Sequence, residues 1–252
     1  MQDTHPTDRR PGIQAIARAA AVLRALEGEP RGLALGELAA AVQLPKSTVH
    51  RLAAALADEG LVTLAGGRIR LGAELARLGA ATRRTLRDDL RPVLEELRAQ
   101  VDETVDLAVL DGATARFVDQ VPAAHRLRAV SAVGAGFPLH CTANGKALLA
   151  ALPDDQALAL LPARLERLTP ATITSRAALL DELASIRRAG VAIDREEHTE
   201  GICAAGAVVA DPAGPVAAIS IPVPLTRFAG NEARYAAAVR AAAAAGTALL
   251  GG

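Results

Sequence analysis

Two groups of residues carry side chains able to do chemistry, and they imply different chemistries. Lys46, Ser47, Thr48, His50 and Arg51 crowd one short stretch, and Arg68 and Arg70 follow across the pair Gly66-Gly67. Small, polar and basic side chains without bulky apolar ones are what a helix needs to lie in a DNA major groove. Arginines two apart share one face of a strand and add cations to such a surface. The second group is His140-Cys141 with Asp194, Glu196, Glu197, His198 and Cys203. These are the residue types of a Cys/His nucleophilic site or of a zinc site. Against the first, adjacent residues of an extended chain point to opposite faces, which places His140 poorly for activating Cys141. Against the second, neither CxxC nor HxxxH spacing is present. Two small buried cysteines and a solvated turn bearing Glu196, Glu197 and Glu200 account for the same residues. A small-molecule-processing enzyme or a zinc-binding sensor using Cys141 and Cys203 stays as the alternative to a DNA-binding protein. A third class, a pure scaffold, leaves the basic residues of the first group without a purpose.

The elements that position the first group follow from periodicity. Leu35, Leu38, Ala39 and Val42 recur at i, i+3, i+4 and i+7, as do Val49, Leu52, Ala53 and Leu56. Each set is one buried helical stripe. Gln43-Leu44-Pro45 joins the two helices, with Pro45 suited to a first helical turn because its missing N–H costs nothing there. On the second helix Ser47, His50, Arg51 and Ala54 lie opposite the stripe, with Lys46 at its start. Leu61 to Leu64, Ala65-Gly66-Gly67 and Arg68 to Leu71 then form a hairpin whose glycines supply the positive φ of a tight turn. Helix, turn, helix and basic hairpin make a winged helix-turn-helix.

Composition narrows the rest. The 252 residues are half hydrophobic but include no Trp, one Tyr and three Phe, so the cores must be built from Ala, Leu, Val and Ile. Net charge is zero, yet residues 1–84 hold 12 Lys/Arg against 8 Asp/Glu, while residues 85–252 hold 16 against 20. The sign of that asymmetry suits a DNA-reading front. No bulky apolar run is long enough to span a membrane, and the start lacks the regions of a signal peptide. Two cysteines make no disulfide framework. A cytoplasmic protein is the expectation.

Along the chain, residues 1–12 read as a disordered leader. Ile13, Ile16, Ala20 and Leu23 mark a first helix ending near Gly28. The winged unit occupies residues 13–72 and linker helices residues 73–101, where Leu86, Leu90, Val93, Leu94, Leu97 and Val101 form a stripe and Pro92 should kink or restart the helix. That stripe suits either the pairing of two subunits or packing on the chain's own second domain. Residues 102–252 alternate strands and helices. Strands are expected at 105–109, 117–121, 127–133, 191–193, 202–210 and 216–223, with turns at Asp111-Gly112 and 211–214. Gly134 to Pro138 reads as a loop. Helices are expected at 143–152 capped by Thr142, at 176–189 between Ser175 and Gly190, and at the alanine-rich end capped by Asn231. An antiparallel sheet with helices beside it, an α+β domain, is the simplest arrangement.

Four segments together resemble the IclR family of bacterial transcription regulators. They are Leu35-Gly36-Glu37-Leu38-Ala39 through Leu44-Pro45-Lys46-Ser47-Thr48-Val49-His50-Arg51-Leu52; Leu139 through Ala147; Gly190 through His198 with Gly201 to Ala204; and Ala218 through Pro224 with Arg227 following. The resemblance implies an N-terminal winged helix-turn-helix, a linker helix and a GAF-like effector-binding domain. It also implies a homodimer or dimer of dimers that binds double-stranded operator DNA and controls a catabolic operon in response to a small organic acid, with no cofactor. DNA contacts would fall to Lys46, Ser47, Thr48, His50 and Arg51, with Arg68 and Arg70 from the wing. The pocket would include Phe137, Ala143, Asn144, Asp194, Cys203, Ala204, Ser220 and Pro222. Pro222 and Ala204 stand where other members have small polar residues or cysteine, which removes hydrogen-bonding groups and suggests a more apolar ligand or one anchored by backbone. Independently of the family, the first N–H groups after Thr142 have no intrahelical acceptor, and the helix dipole is positive there. A carboxylate is a natural ligand for such a terminus.

Overall fold

The computed structural model describes residues 11–129 and 131–251. The leader expected over residues 1–12 lies outside the described residues, apart from Pro11 and Gly12, which open the first helix. The chain divides into two units, residues 1–84 and 85–252.

The first unit is built from α1 (Pro11–Glu27), β1 (Leu33–Ala34), α2 (Leu35–Ala41), α3 (Lys46–Asp58), β2 (Val62–Ala65) and β3 (Arg68–Leu71). Its core joins Val22 and Leu26 of α1 to Leu38, Ala39, Val49, Ala53, Leu56, Val62 and Ile69. The periodicity of α2 and α3 therefore selects the buried stripes. In α1 the stripe is displaced from the expected one, because Ile16 is 72% exposed while Val22 and Leu26 are buried. Helix α2 starts with a capping interaction in which the Ala34 N–H donates to Glu37 Oε2 at 2.7 Å. Gln43 takes a left-handed φ of 52° in the turn, and α3 begins at Lys46, one residue past Pro45. Gly66 and Gly67, at φ 58° and 71°, make the two-residue turn that pairs Ala65 with Arg68. Strand β1 completes a three-stranded sheet in the order β1-β3-β2.

Helix α4 (Ala73–Val101) runs through the boundary between the units without a break. Pro92 neither ends nor restarts it. Pro92 and Asp88, whose carbonyl loses its helical donor, both lie on the exposed side, where water can replace the missing bond. Leu90, Leu94, Leu97 and Val101 are buried in the second unit's own core, so packing within the chain accounts for the stripe.

The second unit is a six-stranded antiparallel sheet in the order β6-β5-β4-β9-β8-β7, formed by β4 (Val105–Asp111), β5 (Thr114–Val121), β6 (Gly136–Pro138), β7 (Ala192–Arg195), β8 (Ile202–Asp211) and β9 (Gly214–Pro224). One face packs on α4 and on α9 (Glu232–Leu249) through Leu107, Ile219, Ile221, Val223, Tyr235 and Val239. The other packs under α5 (Ala143–Ala150) and α7 (Arg176–Ala189) through Ala108, Phe117, Ala147, Leu179 and Leu183. Short helices α6 (Asp154–Ala159) and α8 (Leu225–Phe228) fill the connections. Helix α5 lies directly on β8, where a Cβ on Gly206 would stand 2.9 Å from the Ala143 carbonyl carbon.

Two sequence expectations fail around β6. Residues 127–133 form no strand, and Val130 lies outside the described residues. Leu127 and Val133 are 67% and 60% exposed, and of the described residues between them only the small Ala129 and Ser131 are buried, so little apolar area rewards pairing. Side chains tie this segment down instead: Arg227 donates to the Leu127 carbonyl at 3.1 Å, Gln120 to that of Ser131 at 2.9 Å and Arg116 to that of Gly134 at 2.7 Å. The strand comes later, at Gly136–Pro138, where a loop was expected; Phe137 pairs with Ala115 of β5. Asn231 does occupy the N-cap position of α9, but its side chain donates to the Arg227 carbonyl of α8 and makes no cap bond to α9.

Candidate functional site

A cavity of about 320 Å³ opens on the α5 side of the large sheet. Strand register brings its floor together: Asp106 of β4 stands opposite Ser220 of β9, and Ser220 opposite Gly206 of β8. Two residues along, Pro222 faces Ala204, which faces Asp194 of β7. Gly206 has no side chain, which leaves room for Ala143 above it; Asp106, Ser220, Ala204, Pro222 and Asp194 surround the space that remains. Thr142, Ala143 and Asn144 form one wall, the first turn of α5. Thr142 caps that turn by accepting the Gly145 N–H at 3.1 Å. Phe137 and His198 stack with ring centroids 4.4 Å apart, and Phe117 meets Phe137 edge-on at 4.8 Å, making an aromatic wall. Arg128, Ala129 and Ser131 line the cavity from the loop before β6.

Its electrostatics are governed by two buried carboxyls. Asp106 accepts hydrogen bonds from Gln120 Nε2 and Ser131 Oγ, both at 2.7 Å, yet burial outweighs them and pushes its pKa up to about 6. Burial likewise pushes Asp194 up to about 7, although it accepts the Glu197 N–H at 2.7 Å. Burial lowers the His198 imidazole from its ordinary value. Asn144 is 1% exposed, and neither atom of its amide meets a hydrogen-bond partner among the described residues.

Seven of the eight pocket residues named from the resemblance line this cavity: Phe137, Ala143, Asn144, Asp194, Ala204, Ser220 and Pro222. Cys203 does not. It precedes Ala204 on β8, so its side chain takes the opposite face and enters the core with Ile221 and Val223. The expected loss of polarity at Ala204 and Pro222 is offset by Thr142, expected only as the helix cap, and by Asp106 and Ser131, which sequence reasoning left out. Asp106 had a signal: an acid set among the apolar residues Val105, Leu107, Ala108 and Val109. Ser131 and Arg128 had none, because a loop held by distant side chains leaves no periodic trace.

The other chemistry-bearing residues are occupied by structural roles. His140 and Cys141 lie in the turn leading into α5, with no strand there, and His140 Nε2 bonds the Glu166 carbonyl at 2.9 Å. Burial pushes the thiols of Cys141 and Cys203 up to about 12 and about 11, leaving both as inert thiols at neutral pH. Among the described residues no three His, Cys, Asp or Glu gather as a metal site. Glu197 is not on a solvated turn. It is buried and, with Glu182 at 3.0 Å and the Ile193 carbonyl at 2.7 Å, it surrounds Nζ of the fully buried Lys146. Glu182 sits on α7 and Lys146 on α5, so this ionic cluster joins α5, α7 and the turn after β7.

In the first unit, Lys46, Ser47, His50 and Arg51 are exposed on α3 and Thr48 is half-buried. Arg68 and Arg70 share the face of β3 opposite the buried Ile69. Both guanidinium groups donate to the Arg31 carbonyl, and Arg68 also pairs with Glu37 at 3.3 Å.

A winged helix-turn-helix in one unit and a polar, aromatic-walled cavity in the other define a DNA-binding regulator with a ligand-sensing domain. Residues 15–65 match the IclR helix-turn-helix domain, and residues 78–246 match the bacterial transcriptional regulator IclR C-terminal domain. The chain is 53% identical over 242 residues to the HTH-type transcriptional regulator Rv1719 of Mycobacterium tuberculosis, covering 95% of this chain and 92% of that protein. It is 34% identical over 228 residues to the transcriptional repressor IclR of Escherichia coli, covering 87% and 83%. The crystal structure of Thermotoga maritima IclR superposes with a TM-score of 0.64 at 28% identity, over 95% of this chain and all of that one. The chain belongs to the IclR family: it is a transcription regulator and not an enzyme. No helix among the described residues is long and apolar enough to cross a membrane.

Proposed function

We propose that this regulator controls a catabolic operon and that a small organic acid, held in the cavity under α5, sets its affinity for operator DNA. The observation that carries the reading is the cavity wall made by Thr142, Ala143 and Asn144. A first helical turn offers N–H groups and a positive dipole end to an acid. The aromatic wall of Phe117, Phe137 and His198 gives an apolar or aromatic body a surface to pack on. Operator contacts fall to Lys46, Ser47, Thr48, His50 and Arg51, whose side chains leave α3 away from the core, with Arg68 and Arg70 beside them on the wing. Two such units reading a two-fold symmetric site suit a dimer or dimer of dimers.

Two measurements test this. Thermal shift with aliphatic and aromatic acids should yield at least one acid that raises the melting temperature with concentration, as mass action requires. The same acid should change operator affinity in a gel-shift titration, since a ligand shifts an equilibrium only by its differential affinity for the two states. A panel without a stabilising acid overturns the effector class. An acid that stabilises the protein without altering operator binding overturns its regulatory role.

A further inference from the structure

The cavity offers an acid a mixed reception. Asp106 and Asp194, 1% and 5% exposed, both line it, and Arg128 is the one Lys or Arg among its lining residues. Lys146 lies close behind but is committed to Glu182, Glu197 and the Ile193 carbonyl. Above pH 7, where Asp106 and Asp194 are both ionised, a bare carboxylate entering here adds a third negative charge to a buried space. Asn144 is mismatched to it as well. Its amide presents a donor and an acceptor, both unpartnered, and a carboxylate, acceptor-only, satisfies Nδ2 while leaving Oδ1 facing another acceptor. A carboxyl group that carries a proton satisfies both atoms, as does a carboxamide.

We propose that the cavity takes its organic acid together with one proton from solvent, and that Asn144 is the specificity-determining residue that reads the resulting carboxyl by pairing with its donor and its acceptor at once. This rests on the organic-acid reading above and specifies the form in which the acid is held. The groups around the proton are consistent with it. Asp194 faces Lys146 from α5, Cys141 from the turn before it, and Glu197 and His198 from the turn after β7, with Cys203 of β8 also feeling its charge. Asp106 faces Gln120 of β5 and Ser131 of the following loop, which donate to its two oxygens. Burial raises both carboxyls toward neutrality, so the protein resists a further anion most strongly above pH 7.

Calorimetry on the full chain with matched acid and amide pairs (benzoate and benzamide, phenylacetate and phenylacetamide, glycolate and glycolamide) tests the proposal. The pairs are titrated between pH 6 and 8.5 in two buffers of different ionisation enthalpy. The expected result is uptake of one proton with the acid, acid affinity falling about tenfold per pH unit across that whole range, and amide affinity that does not fall. Acid binding without proton uptake and without pH dependence overturns the inference and leaves the organic-acid effector standing. Amides that bind where no acid does keep the role of Asn144 and overturn the organic-acid effector. Failure of both members of every pair overturns both. Asn144→Leu should weaken acid and amide alike by more than tenfold without lowering the melting temperature of the unliganded protein. A lowered melting temperature, or unchanged binding, overturns the role of Asn144. Asn144→Asp supplies a second variant: it should bind acids only as the pH falls toward 6, and pH-independent binding by it counts against the proposal.

Discussion

Asp194 carries a measurable signature of its burial. Its folded pKa, about 7, lies above the ordinary carboxyl value of 3.8. Between those values the folded protein holds a proton that the unfolded chain has released, so stability falls as pH rises through the window and levels off above it. Each unit inside the window costs at most about 1.4 kcal/mol. Asp194→Asn keeps an oxygen to accept the Glu197 N–H but cannot ionise. Chemical denaturation at pH 5, 6, 7 and 8 should show the wild type losing stability relative to the variant as pH rises. Parallel curves would show that Asp194 ionises in the fold as freely as in the unfolded chain. At the same scale, Arg51 is exposed on α3 and outside the core. Arg51→Ala should weaken operator binding by about 1–3 kcal/mol if it pairs with a base and leave the melting temperature unchanged. Undiminished affinity in a gel-shift titration would remove α3 from the groove.

Among elements, α5 is the one on which the cavity depends, and its attachment is ionic as well as apolar. Lys146 is 0% exposed and holds Glu182 of α7 and Glu197 of the turn after β7. Lys146→Met keeps the length of the stem but leaves two carboxylates without their cation. Removing one partner of a buried pair costs about 3–5 kcal/mol, and the loss should appear in urea denaturation. Lys146→Met combined with Glu182→Gln and Glu197→Gln should recover part of it, because the uncompensated charges are gone. A triple variant no more stable than Lys146→Met would place the stabilisation in the lysine's packing rather than in its charge.

At the scale of the whole molecule, the two units have separate cores. That of residues 1–84 is built on Val22, Leu38 and Val49, and that of residues 85–252 on the two faces of the six-stranded sheet. A fragment of residues 85–252 should fold cooperatively, bind the effector acid and bind no operator. The full protein's operator affinity should fall steeply with salt, because its contacts include phosphate neutralisation by Lys and Arg. Specific operator binding by the fragment, or salt-independent binding by the full protein, would contradict this division of labour.

Local periodicity and turn chemistry determined the winged helix-turn-helix: α2 and α3 follow their apolar stripes, and Gly66-Gly67 makes the hairpin, because each of these depends on residues close in the chain. The same holds for Thr142 and Ser175 as caps and for the turn at Asp211, whose Oδ1 accepts from the Ala213 and Gly214 N–H groups. Family motifs brought seven cavity residues into view, since the segments that carry them converge on one face of the sheet. What tertiary structure alone decided is which face each residue takes and what it meets there. Cys203 and Ala204 are neighbours in the chain, yet one enters the core and the other the cavity. Glu197 reads as a surface acid until Lys146, 51 residues away, is seen beside it. Residues 127–133 look like a strand but are held as a loop by Gln120, Arg116 and Arg227, partners that no local pattern names. Burial, and with it the protonation of Asp106 and Asp194, depends on elements packed from both sides of the sheet, and only the folded chain brings them together.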